Sequence, residues 1–146
     1  MKKSFFPNRA QTKKYTRNAV MAKIMIGSQE VIAYSIHLET FWILQSGNER
    51  QAAFLANQVV TGDELVFLGG DFNSLTRGSF IYLEARLGQM DMQRLSRNTG
   101  HTFEYLGVKL TLDHIFSSEV ESFESGVWRG SEASDHFTLW SITSIN

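Results

Sequence analysis

Cysteine is absent from all 146 residues, which excludes disulfides, thiolate metal ligands and cysteine nucleophiles. Absent too is any apolar run near the ~18 residues that a membrane-spanning helix requires. The opening Met1-Lys-Lys-Ser-Phe-Phe-Pro7 is basic. It has no apolar core of about 7 residues behind it and so does not read as a secretory leader. On these grounds the cytoplasm is the default compartment. Acidic residues are missing from the first seventeen positions, where Lys2, Lys3, Arg9, Lys13, Lys14 and Arg17 stand unopposed. An arm of that kind could touch a polyanion, although a solvated terminus is the plainer reading. The net charge is only −1, and no basic face marks a dedicated nucleic-acid binder.

A hydrophobic content of 42% and a charged content of 20% are ordinary for a soluble globular chain. The length suits one domain with a real core. Residues 1–17 read as the basic arm and 18–146 as the domain. A β-type run from Asn18 to Ile26 and a second through Val31–Leu38 flank the turn Gly27-Ser28-Gln29, which predicts a hairpin. Ser46-Gly-Asn-Glu49 has the spacing of a capping box. Beyond it Ala52, Leu55, Ala56, Val59 and Val60 share one helical face. Glu64–Leu68 reads as a buried strand ending at Gly69-Gly70. Phe80, Leu83 and Leu87 suggest a second helix stopped by Gly88. Strands are expected around Thr102–Tyr105, Leu110–Ser117, Phe123–Trp128 and Phe137–Ile142. This order predicts a mixed α/β layer. A sheet so apolar needs a second layer on its other face, which a partner, self-association or further chain would supply.

Four short segments could carry chemistry. Gly69-Gly-Asp-Phe-Asn73 follows the buried strand, at the carboxyl end where α/β proteins place ligands. Alternation puts Asp71 and Asn73 on one side and Phe72 on the other. A carboxylate beside a carboxamide suits a water-activating base and an oxyanion donor; an Asx-rich turn is the alternative. Ser134-Asp-His136 offers a hard oxygen ligand and a histidine able to act as acid or base, or simply a surface turn. In Leu112-Asp-His-Ile-Phe116, Asp113 is an acidic group inside an apolar strand. It needs a partner if buried, and His136 is the natural one. His37, at the end of Ser35-Ile-His-Leu38, is taken alone an ordinary strand histidine.

In chain order these segments read Ile-His-Leu, Gly-Asp-Phe-Asn, Leu-Asp-His-Ile and Ser-Asp-His, each near a strand end. Together they resemble the endonuclease/exonuclease/phosphatase family, the deoxyribonuclease I-like phosphoesterases, from about Asn18 to the C-terminus. Arg50-Gln51 and Thr99-Gly-His-Thr-Phe103 are smaller echoes. The resemblance implies the C-terminal half of a four-layer α/β sandwich, a mixed sheet with helices on one face. It implies metal-dependent hydrolysis of a phosphate ester, with Mg²⁺ or Mn²⁺ as cofactor. Asp71 would orient or deprotonate the attacking water, Asn73 would steady the phosphate, and His37 would hydrogen-bond it. His136 would contact the phosphoryl group with Asp113 fixing its tautomer. Asp135, with Asp71, would help hold the metal. The family's N-terminal half, with its first-strand Asn and metal-binding Glu, has no counterpart here; Glu30 sits in the hairpin turn and reads as a bystander. The chain alone is therefore expected to hydrolyse poorly. A remnant serving as a binding or interaction module is the alternative. Nucleic acid, lipid head group and sugar phosphate are not distinguished.

Overall fold

A computed structural model describes residues 17–39, 45–59, 64–118, 123–130 and 132–144. The elements run β1 (Ala19–Ile26), β2 (Gln29–His37), α1 (Gln45–Ala56), β3 (Leu65–Asp71), α2 (Arg77–Gly88), β4 (Gln93–Arg94), β5 (Phe103–Tyr105), β6 (Val108–Leu110), β7 (Asp113–Ser117), β8 (Phe123–Trp128) and β9 (Thr138–Thr143). The main sheet has the order β1-β2-β3-β7-β4, with β5-β6 and β8-β9 as separate pairs. β1 and β2 form the expected hairpin around Gly27-Ser28, with Ile26 opposite Gln29. β2 then pairs parallel with β3, because α1 returns the chain between them. β7 adds antiparallel to β3. The mixed α/β architecture read from the sequence is what folds.

The alternation of β2 decides which face is core. Ile32, Tyr34 and Ile36 are buried while Ser35 and His37 are exposed. Their register partners Val66, Leu68 and Phe116 continue the apolar face across the sheet. Ala52, Leu55, Ala56 and Val59 close over it, joined by Leu83 and Leu87 of α2. At about 1.5–3 kcal/mol per large apolar side chain, this face supplies most of the folding drive. Phe72 packs into it edge-on to Phe116 at 5.5 Å. On β1, by contrast, Val20, Met21, Ile24, Met25 and Ile26 are each 45–62% exposed.

Three details depart from the sequence reading. Ser46 lies inside α1 rather than at its cap. The capping box belongs to α2 instead, where the Thr76 side chain accepts from the Ser79 N–H and Ser79 returns the bond. The run Leu110–Ser117 is not one strand. It divides into β6 and β7, and β6 folds back on β5 through Leu106 and Gly107, both at positive φ, the geometry of a tight two-residue hairpin loop. The short β4 had no signature beyond two residues. Val60 and the arm before Arg17 lie outside the described residues.

Candidate active site

Strand register builds the site. His37 of β2 is the partner of Asp71 of β3, and Asp71 is the partner of Asp113 of β7. Register partners project to the same side of a sheet, so these three side chains stand in a row on the face opposite the core. The sheet can bring Asp71 so close to β2 only because position 70 is glycine. Its φ is +141°, and a Cβ there would run into the Ile36 carbonyl oxygen.

After Asp71 the chain turns sharply. Asn73 has φ 48°. Its backbone N–H donates to Asp71 Oδ1 at 2.8 Å, closing an Asx turn. Its Nδ2 donates to Asp71 Oδ2 at 2.9 Å and to the Leu38 carbonyl at 3.0 Å. Turn and site are thus one structure, and the two sequence readings of this segment coincide. Both amide hydrogens of Asn73 are engaged, so in this structure it orients Asp71 rather than offering a spare donor.

The other wall comes from the C-terminal segment. His136 is bridged to Phe103 of β5, and Phe137 N–H donates to the Thr102 carbonyl at 2.7 Å. The Thr102 hydroxyl, fully buried, accepts the N–H groups of Leu112 and Asp113 at 3.0 and 3.1 Å. Thr102 thereby ties the β5 and β7 ends together. Held this way, His136 Nδ1 meets Asp113 Oδ2 at 2.7 Å, the pairing expected of an acidic group in an apolar strand. Ser134 Oγ accepts the His136 N–H at 3.0 Å. Asp135 is exposed beside it.

His37, Asp71, Asn73, Asp113, Asp135 and His136, the six residues singled out in the sequence, all line one open cavity of about 770 Å³. Leu75, Phe103, Tyr105, Leu110 and Leu112 form its apolar side. Burial pushes the Asp71 carboxyl above its usual range. The Asn73 N–H acts against that and the neighbouring Asp113 charge reinforces it. For His136, partial burial favours the neutral ring. The hydrogen bond and charge of Asp113, aided by Asp71 and Asp135, outweigh it and raise the pKa. The site therefore favours an imidazolium resting on Asp113.

One residue was missed. Arg17 ends the arm that reads as solvated in the sequence, yet it donates to His37 Nε2 at 3.0 Å and to Glu39 Oε1 at 3.2 Å. The signal was available: a hairpin pairing Ile26 with Gln29 carries position 17 to the end of β2, beside His37. Glu39 is buried, its N–H held by Gln51 Oε1 at 2.7 Å and its carbonyl by Asn48 Nδ2 at 3.0 Å. Arg50-Gln51 lies in the middle of α1 rather than opening it, and it has a physical role there through Gln51.

The family model described as Endonuclease/Exonuclease/phosphatase matches residues 7–136. No curated protein matches the sequence. Among solved structures, truncated TDP2 of Caenorhabditis elegans superposes with a TM-score of 0.69 at 17% identity, over 91% of this chain and 62% of that one. A family protein from Leptotrichia buccalis gives 0.66 at 20%, over 90% and 54%. The mannosyl-6-phosphatase of Bacteroides thetaiotaomicron gives 0.67 at 14%, over 95% and 61%. The chain thus spans less than two thirds of the length of each structure, and at these identities the likeness shows the fold. With the family model covering nearly its whole length, the chain belongs to the endonuclease/exonuclease/phosphatase family.

Proposed function

We propose that this domain hydrolyses a phosphate ester by in-line attack of water, with Asp71 and His136 on either side of the reacting phosphorus. The observation that supports this best is the cross-strand row His37–Asp71–Asp113, with His136 seated on Asp113 in one cavity. The half-buried Asp71 carboxylate, its raised basicity matched to proton abstraction, holds the water and takes its proton as the new P–O bond forms. The His136 imidazolium, with Nδ1 committed to Asp113, turns Nε2–H toward a non-bridging oxygen and neutralises the charge gathering there. Asn73 holds Asp71 in line. Arg17 has only donors, so His37 Nε2 accepts from it and the ring's other N–H is left for the phosphate. As the bond to the departing oxygen breaks, that oxygen takes a proton from solvent.

Members of the family generally use divalent metals. Among the described residues no group of three or more His, Asp or Glu is placed to hold an ion. The donors that are present, Asp71 and Asp135, are hard oxygens. They suit Mg²⁺ or Mn²⁺, which take one or two carboxylates and complete their shell with water and substrate oxygens. Such an ion, when bound, would offset phosphate charge.

The test is hydrolysis of bis(p-nitrophenyl) phosphate and p-nitrophenyl phosphate by the purified chain with millimolar Mg²⁺ or Mn²⁺. Asp71→Asn and His136→Ala should each lower kcat by about 10²–10⁴-fold. Turnover that both variants retain within tenfold would refute the assignment. A second reading, a binding module without turnover, is favoured by the exposed apolar side chains of β1. It would be adopted if the wild type is inert with either ion.

A further inference from the structure

β7 presents its residues alternately to the two faces, and the proposed chemistry uses only Asp113. The next residue, His114, is the register partner of Gly70 and points the other way. It is 1% exposed and enclosed by aromatic rings, with centroids at 4.8 Å to Phe80, 5.8 Å to Phe72 and 6.2 Å to Phe116. An imidazole there carries a desolvation cost that an apolar side chain of similar volume would avoid. Its Nδ1 is buried with no hydrogen-bond partner in the structure. Its Nε2 makes one contact, to Ser74 Oγ at 3.0 Å, and both residues are buried.

Ser74 is the residue directly after Asn73. Within the turn, hydrogen bonds run from Asn73 to Asp71, from Asn73 to Leu38, and from Leu75 N–H to the Asn73 carbonyl. The β3–β7 ladder ends at the Asp71–Asp113 pair and the Phe72 N–H to Leu112 carbonyl bond. Beyond that point the Ser74–His114 bond continues the connection between the turn and β7. It reaches the strand one residue from the carboxylate that seats His136. Asparagine tolerates the left-handed backbone that Asn73 adopts, and the bonds around it select that conformation here.

We propose that His114 is a positioning residue: by gripping Ser74 from the core side it fixes the Asp71–Asn73 turn relative to Asp113 and His136. It touches neither substrate nor the reacting groups. The consequence for turnover rests on the hydrolase reading above, whereas the effect on the turn does not, so the two are measured separately.

The experiment uses the whole chain and four variants, Ser74→Ala, Ser74→Thr, His114→Leu and the double Ser74→Ala/His114→Leu. The first readout is amide hydrogen exchange by NMR. Ser74→Ala should speed exchange at Asn73 and Leu75 by about tenfold or more, while Val66 and Leu68 in β3 stay within about threefold. Ser74→Thr, which keeps the hydroxyl, should restore protection. The double variant should expose the turn no further than Ser74→Ala alone, because both changes remove the same bond. Unchanged exchange in Ser74→Ala would overturn the proposal, as would additive effects in the double variant. Should His114→Leu fail to fold, the serine pair still decides the matter. The second readout is kcat on bis(p-nitrophenyl) phosphate. Ser74→Ala should lose about 10–100-fold with KM within about threefold, since a small displacement of a reacting group has that consequence. Unchanged kcat in an active enzyme would overturn the proposal. Altered exchange in a chain whose wild type is inert would leave the positioning bond standing and remove the hydrolase reading.

Discussion

The buried imidazole of His114 should make this fold acid-sensitive in a way that can be isolated. Burial, with the nearby Arg94 charge adding to it, pushes its pKa from 6.5 down to about 3. In the unfolded chain the same ring titrates normally. Between those two values the unfolded state binds a proton that the folded state does not, so stability falls as pH drops from about 6.5 toward 3 and is restored above it. The slope approaches about 1.4 kcal/mol per pH unit, so from pH 7 to pH 4.5 the loss is on the order of 2–3 kcal/mol. Against a typical domain stability of about 5–15 kcal/mol this is a large fraction. Acid also titrates the carboxylates, so the informative quantity is a difference of differences. Urea unfolding is measured at both pH values for wild type and for His114→Gln, which keeps a polar atom for Ser74 but cannot become a cation. The variant starts less stable or equal at pH 7 and should lose about 2–3 kcal/mol less on acidification. Parallel losses, agreeing within about 0.5 kcal/mol, would show that the folded ring is not shielded from protons and would refute the reasoning.

The placement of the candidate site residues was legible because it follows the simplest rule of strands. Alternation at Ile-His-Leu and Gly-Asp-Phe-Asn puts His37 and Asp71 on one face and Ile36 and Phe72 on the other, and the structure keeps that division. The need of Asp113 for a partner likewise follows from charge in an apolar strand, and His136 supplies it. The obscured features depend on long-range pairing. Leu110–Ser117 looks continuous in hydrophobicity, and only the hydroxyl of Thr102, bonding the Leu112 and Asp113 N–H groups, shows why β6 ends and β7 begins there. Ser46-Gly-Asn-Glu49 has the spacing of a cap without being one, whereas Thr76 and Ser79 form their box without the usual Glu or Gln. His114 carries the same signal in a weaker form: alternation sets it opposite Asp113, on the side of Leu112 and Phe116, and the register with Gly70 shows that this side is the core.

Three further outcomes are expected. Thr102→Val removes the acceptor of two buried N–H groups and should destabilise by about 2–4 kcal/mol in urea unfolding; a loss below about 0.5 kcal/mol would mean that water reaches those groups. Gly70→Ala should cost about 3 kcal/mol or leave the protein insoluble, since φ +141° and the Ile36 carbonyl both forbid a Cβ. Gly69→Ala, where an added Cβ meets Ile115 at an ordinary 3.8 Å, is the control and should stay within about 1 kcal/mol. The last concerns metal affinity, measured by calorimetry without turnover. Asp71 already accepts two bonds from Asn73, and its burial disfavours the charged form that a cation needs. Asp135 is exposed, and no third carboxylate or histidine among the described residues completes a cluster. Mg²⁺ surrenders its waters reluctantly and leans on phosphate oxygens when protein ligands are few. The chain alone should therefore bind Mg²⁺ with a Kd of about 1 mM or weaker, tightening several-fold when inorganic phosphate is present. Asp135→Asn should abolish the response to phosphate. Micromolar binding without phosphate, unaffected by Asp135→Asn and by Asp71→Asn, would show that other groups hold the ion and that Asp71 and Asp135 are not its ligands.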